Sequence, residues 1–264
     1  MEVAASALKK RHLSNGGDLT YRLLPRVLEI ERESNPAAKS AETWGWLPPS
    51  LHNEGVKVQP EWLHSFLLEP HPIRPAVFMR MPKFNMSPAE ATALVNYFAA
   101  RDNATYPYEF EERTSSEKLD ELEADYVEEA GTGSSGIERM HAGMNIVTYK
   151  DYCVACHQVG DYEPGGAQRA KAPNLAEVYK RLRTDYVRKW VAKPSSILPY
   201  TAMPVIIPYT GAPDQLVPQD MFHGTPTEQL DGVVDLLMNY DRYTSGRSNI
   251  RDMVKMDETT AAQP

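Results

Sequence analysis

The chain has 264 residues, enough for one or two domains. Hydrophobic residues at 42% and charged residues at 24% are ordinary for a globular protein, and 21 Pro with 15 Gly favour short helices between turns over a sheet. A formal charge of -8 argues against nucleic acid or an anionic membrane as main partner, while leaving a basic protein partner open.

Residues 1–45 are expected to be helical. Ala5, Leu8, Leu19, Leu23, Leu24, Val27 and Leu28 recur at helical spacing, with breaks expected at Asn15-Gly16-Gly17 and at Pro25. No chemistry is visible there, and His12 among Lys9, Lys10 and Arg11 reads as solvated surface. Pro60 opens a helix through Trp62, Leu63, Phe66 and Leu67 that stops at Pro70, and a proline-rich loop follows from Ile73 to Phe84. Ser87-Pro88-Ala89-Glu90 predicts a capping box ahead of a helix through Ala93, Leu94, Tyr97 and Phe98. Residues 103–136 read as an acidic linker. Carboxylates crowd between Glu109 and Glu129, with Arg113 and Lys118 the only basic residues, and Thr132 to Gly136 reads as a flexible joint. Such a run is either a solvated spacer or a dock for a basic redox partner.

From Ile137 a helix through Met140 and Met144 is expected to lead to Cys153-Val154-Ala155-Cys156-His157, which holds the only two cysteines of the chain. CxxC followed directly by His is the spacing of a c-type haem attachment site. Two thiols one helical turn apart can each add to a vinyl group of one porphyrin. The histidine behind them offers a neutral imidazole nitrogen to the iron. Other readings of the pair stay open: half of a zinc site, which lacks a second Cys pair; a thioredoxin-like redox pair, which leaves His157 unexplained; a disulfide; or two buried thiols. Further on, Gly160 and Gly165-Gly166 mark a loop before Ala172-Pro173-Asn174-Leu175. A helix from about Thr184 through Tyr186, Val187, Trp190 and Val191 stops at Pro194, and an extended loop carries Leu198 to Pro204. Thr225-Pro226-Thr227-Glu228 caps a last helix through Val233, Leu236, Leu237 and Tyr240, and residues 247–264 read as a polar tail.

The two halves repeat. At an offset of 124, Pro49-Ser50-Leu51 aligns with Pro173-Asn174-Leu175, Trp62, Phe66 and Pro70 with Tyr186, Trp190 and Pro194, and Pro75 with Pro199. After small gaps Met81-Pro82 answers Met203-Pro204, and Ser87 to Glu90 answers Thr225 to Glu228. An ordered series of this kind is read as a tandem duplication. The stretch that should answer the cysteine motif reads Glu29-Ile30-Glu31-Arg32-Glu33, so the first copy carries no cysteine in this chain.

The order CxxCH, Pro-x-Leu, aromatic helix, Met-Pro, terminal helix resembles the class I c-type cytochromes. The match covers about residues 137–243 well and 46–102 as a copy without the motif. The resemblance implies an all-α fold of two cytochrome c-like helical domains in tandem. These would be 1–102, a degenerate copy; 103–136, the acidic linker; 137–246, the domain with covalent haem; and 247–264, the tail. It implies one haem c per chain, thioethers at Cys153 and Cys156, His157 as proximal ligand, Pro173 as the carbonyl that orients it, and Met203 as distal ligand. A methionine thioether is a soft, neutral ligand that favours reduced iron, and Met203 sits in an extended segment pinned by Pro199 and Pro204. His223 and His141 are weaker candidates for that position. Met81 is equally well placed in its copy but reads as structural. Tyr186, Trp190 and Tyr240 are expected on helices lining the haem pocket, with core packing as their ordinary role.

The expected function is electron transfer: an iron with both axial positions filled exchanges single electrons with redox-partner proteins. Two other readings compete. One is the cytochrome portion of a larger oxidoreductase or a dihaem peroxidase-like enzyme, in which peroxide or carbon monoxide would displace the distal ligand. The other is a haem-based sensor or docking module. No apolar run approaches the roughly 20 residues of a membrane span. Covalent haem is attached outside the cytoplasm, so a periplasmic or other extracytoplasmic location is expected. No export signal opens the chain, which reads as part of a longer exported precursor, with an anchor in that precursor left open.

Overall fold

The computed structural model describes residues 18–39, 43–76, 79–105, 111–131, 138–165, 171–211, 216–245, 250 and 253–254. The stretch around Ala5, Leu8 and His12, the joint at 132–136, Gly166 and most of the tail lie outside these. The fold is all-α. Its helices are α1 (Asp18–Ser34), α2 (Glu54–Lys57), α3 (Pro60–Leu68), α4 (Pro88–Arg101), α5 (Ser116–Ala130), α6 (Glu138–Thr148), α7 (Val178–Arg181), α8 (Thr184–Ala192), α9 (Pro194–Ile197), α10 (Pro226–Met238) and α11 (Tyr240–Thr244). Among the described residues β structure is limited to three isolated bridges. No helix among them is long and apolar enough to cross a membrane.

Pro25 was expected to break the first helix, yet α1 runs through it. The ring fixes φ near the helical value, so the cost is one lost backbone bond and local crowding rather than a forced turn. Both capping boxes form as the sequence predicts. The Ser87 N–H donates to Glu90 at 2.8 Å and the Glu90 N–H to Ser87 Oγ at 3.3 Å; Thr225 and Glu228 exchange the same bonds at 2.6 and 3.3 Å.

The offset of 124 carries the bounds of α2 onto those of α7, and the bounds of α3 onto those of α8. In each set the long capped helix packs on both partners: α4 on α2 and α3, α10 on α7 and α8. The two sets meet at equivalent residues, where Val58 and Leu182 form an antiparallel bridge. The Gln59 N–H donates to the Arg181 carbonyl at 2.9 Å, and the Arg183 N–H donates to the Lys57 carbonyl at 3.0 Å. Exchanging the sets leaves this pattern unchanged, the mark of a local two-fold relation. Side chains reinforce it: Gln59 Nε2 donates to the Leu182 carbonyl at 3.0 Å and Arg183 Nε to the Val58 carbonyl at 3.1 Å.

The largest helix contact joins α6 to α10. They cross closely at Gly143, where a Cβ would lie 3.0 Å from the Gly232 carbonyl oxygen, while Gly232 itself leaves room for Phe222, whose ring would lie 2.2 Å from a Cβ there. A fully buried carboxylate, Asp235, pairs with Arg113 at 2.8 Å and Arg139 at 2.7 Å, while Asp231 pairs with Arg188 at 2.6 Å.

The acidic stretch is more than a solvated spacer, because Ser116–Ala130 of it form helix α5 lying against α6. Ser115 caps its start, Gly131 closes it at φ 64°, and Leu119 and Glu123 are buried. The Glu123 carboxylate accepts from the backbone N–H groups of Glu138 and Arg139, so it caps α6 and meets the positive end of that helix.

Candidate functional site

Helix α6 ends at Thr148, and the chain turns through Tyr149 and Tyr152, whose rings lie 4.7 Å apart, into a 3-10 turn at Cys153–Ala155. Val154 is the buried anchor of that turn. The two cysteines on either side of the Val154-Ala155 pair are not in a disulfide; Cys153 is partly buried and Cys156 exposed. Burial pushes the Cys153 thiol up to about 12, so it is held protonated.

The chain then zips to the loop before α7. The Ala172 N–H donates to the Cys156 carbonyl and the Leu175 N–H to the Gln158 carbonyl, both at 2.8 Å, with a bridge between His157 and Ala172. This pairing sets the Pro173 carbonyl 2.7 Å from His157 Nδ1. A carbonyl only accepts, so Nδ1 carries the proton and Nε2 keeps its lone pair. Burial, opposed by the Pro173 bond and aided by the charge of Arg181, lowers the His157 pKa and keeps the ring neutral. The result is an imidazole with its tautomer and orientation fixed and one nitrogen ready to bind a metal.

Met203 lies beyond α9 in the extended loop. Trp190 Nε1 on α8 donates to its thioether sulfur at 2.9 Å, and its own N–H donates to Thr201 Oγ1 at 3.2 Å. Tyr186 stacks on Trp190 with ring centroids 6.0 Å apart, and burial raises the Tyr186 pKa. The expected site residues therefore fall into two contact groups, Cys153, Cys156, His157 and Pro173, and Tyr186, Trp190 and Met203. The two weaker candidate histidines lie elsewhere. His141 Nδ1 lies 2.9 Å from the Tyr243 hydroxyl, and His223 lines a cleft between α5 and α10 with its N–H on Tyr126. Met81 is a partly buried side chain packed on the core, and Tyr240 is buried in it.

Sequence reasoning passed over Arg181. It ends α7, and its guanidinium lies over the Trp62 ring of the other helix set, 5.9 Å from the centroid. The sequence carries no signal for this, because a single Arg near a helix end is commonplace.

Among the described residues no group of three or more His, Cys, Asp or Glu side chains is placed to hold a metal ion, as a structural zinc site would require. The donor set suits a haem instead: two free thiols at CxxC spacing, a neutral imidazole with a free Nε2, and a soft thioether in a separate loop. Set against protein-family models, curated proteins and solved structures, the chain matches none.

Proposed function

We propose that the chain is a c-type cytochrome of the class I kind. It would carry one haem on Cys153 and Cys156, with His157 and Met203 as axial ligands, and pass single electrons between redox proteins outside the cytoplasm. The observation that carries this reading is the 2.7 Å contact between His157 Nδ1 and the Pro173 carbonyl, directly behind the CxxC pair. A backbone carbonyl there keeps the proton on Nδ1, leaves the Nε2 lone pair available and makes the imidazole a better donor.

Cys153 and Cys156 would hold the porphyrin as thioethers, each thiol adding across one vinyl group with its hydrogen passing to the neighbouring carbon, so the attachment would need no oxidant. When bound, the haem supplies a one-electron couple, and the protein sets its potential and exposure. His157 holds its place through Pro173, and Met203 supplies a soft donor that favours reduced iron. In this reading the first helix set is a cytochrome-like copy without its own attachment motif. The repeated order of Pro-x-Leu, aromatic helix, Met-Pro and capped helix supports that view, as do the matching bounds of α2 with α7 and α3 with α8.

The test is a visible spectrum of oxidised and reduced protein made with haem-maturation machinery, with a pyridine haemochrome for haem per chain. One covalent haem, low-spin, with the weak near-infrared band of methionine ligation, is expected. A high-spin spectrum with ready carbon monoxide binding would instead favour an oxidoreductase or sensor, and no covalent haem would sink the proposal.

A further inference from the structure

Two segments have no counterpart in the repeat. One is the acidic stretch that joins the copies. The other is residues 205–224, which stand between Met-Pro and the capping box of the second copy where the first copy has only 83–86. The fold brings the two together. Phe222 of the second segment lies against α10 at Gly232, and Gln229 Nε2 on α10 holds the segment by donating to the Phe222 carbonyl at 2.9 Å and the Val217 carbonyl at 3.2 Å. The Tyr126 ring of α5 meets Phe222 with centroids 5.1 Å apart, and the Tyr126 hydroxyl accepts from the His223 N–H at 3.3 Å. Between α5, α10 and this segment lies a cleft of about 280 Å³. Leu122, Asp125, Tyr126 and Glu129 recur at i, i+3, i+4 and i+7, so one face of α5 lines it with an aliphatic group, an aromatic group and two carboxylates. Glu112, in the turn before α5, adds a third carboxylate.

The charges of this cleft do not close on themselves. Glu112, Asp125 and Glu129 are exposed, and among the described residues their carboxylates make no hydrogen bond and no ion pair. The cations of the wall are already held: Arg113 by Asp231 and Asp235, Arg139 by Asp235, and Lys118 by Glu121 at 2.9 Å. Lys118 also feels Glu112 and Asp125, so one ammonium faces three carboxylates. An alkyl stem that ends in a positive charge answers this arrangement. The stem lies along Leu122 and the Tyr126 ring, and the head meets Asp125 and Glu129. We infer that the cleft is the docking site for a basic segment of a partner protein, entered by a lysine or arginine side chain. The chain's formal charge of -8 steers such a partner in, and the cleft fixes where it stops. The cleft shares no residue with the Cys153–His157 site, so the inference stands or falls apart from the haem reading.

The test uses the full chain, with haem per chain counted, and a hexalysine peptide as probe. Binding is followed by calorimetry and by the NMR signals of Leu122 and Tyr126. One-to-one binding that weakens between about 50 and about 200 mM salt is expected, with both residues' signals shifting. The double variant D125N/E129Q removes two carboxylates of the cleft and weakens binding about tenfold. The double variant E117Q/E128Q removes the same charge from another face of α5 and weakens it less than about twofold. Equal weakening by the two pairs overturns the inference, because the peptide is then held by the diffuse charge of the chain. Absence of binding overturns it too, as do unmoved signals from Leu122 and Tyr126. Spermidine is the second probe: if it binds the cleft more tightly than hexalysine, the occupant is a free polyamine rather than a protein, and the inference fails. A chain that binds hexalysine at the cleft but carries no covalent haem supports the inference and ends the haem reading alone.

Discussion

At the scale of single residues, function rests on which atom of each side chain is left unused. His157 spends Nδ1 on Pro173, and neither Cys153 nor Cys156 is tied up in a disulfide. Met203 is different, because its sulfur accepts from Trp190. If that sulfur is the distal ligand, Met203→Leu keeps the covalent haem, loses the near-infrared band and lowers the potential, as a redox titration and spectrum would show. An unchanged band would exclude Met203 from the iron. The contact of His157 with Pro173 was legible only through the motif, because a carbonyl 16 positions on is brought to the ring by backbone pairing that no local pattern announces. Arg181 was not, because its environment is set by a ring 119 positions earlier in the chain.

At the scale of elements, punctuation residues were the readable part. Ser87-Pro88-Ala89-Glu90 and Thr225-Pro226-Thr227-Glu228 gave helix starts to the residue, since a capping box is a local pattern that needs nothing distant. Pro25 misled for the complementary reason: a local penalty was outweighed, and α1 continues. The acidic stretch misled too, because charge content hid the apolar side of α5 at Leu119 and the capping use of Glu123. The box also gives a pH dependence. The Thr225 hydroxyl and N–H hold Glu228 below its usual value. Its contribution is therefore complete above about pH 4.3, the ordinary glutamate value, and is lost as pH falls through the lower folded value. Glu228→Gln should flatten the stability profile in that acid window, measured by urea unfolding at a series of pH values; a profile parallel to wild type would count against the box.

At the scale of the molecule, two fasteners organise the chain. One is the charge cluster on α10, where buried Asp235 joins the turn at Glu112–Thr114 to α6 through Arg113 and Arg139. Asp235→Asn keeps the shape but strands the buried Arg139 guanidinium and leaves Arg113 with Asp231 alone. A loss of about 3–5 kcal/mol in denaturant unfolding is expected; a change under about 1 kcal/mol would mean that water already compensates those charges.

The other fastener is the bridge between Val58 and Leu182, whose main-chain bonds are the same seen from either side. Because neither side offers anything the other lacks, two separate chains with this one short run could join edge to edge as equals. Within a single polypeptide the same meeting is intramolecular, at an effective concentration of order millimolar for a flexible tether. A contact of a few bonds, too weak to hold free partners together, is thereby kept closed, and side chains on either side of it are free to diverge.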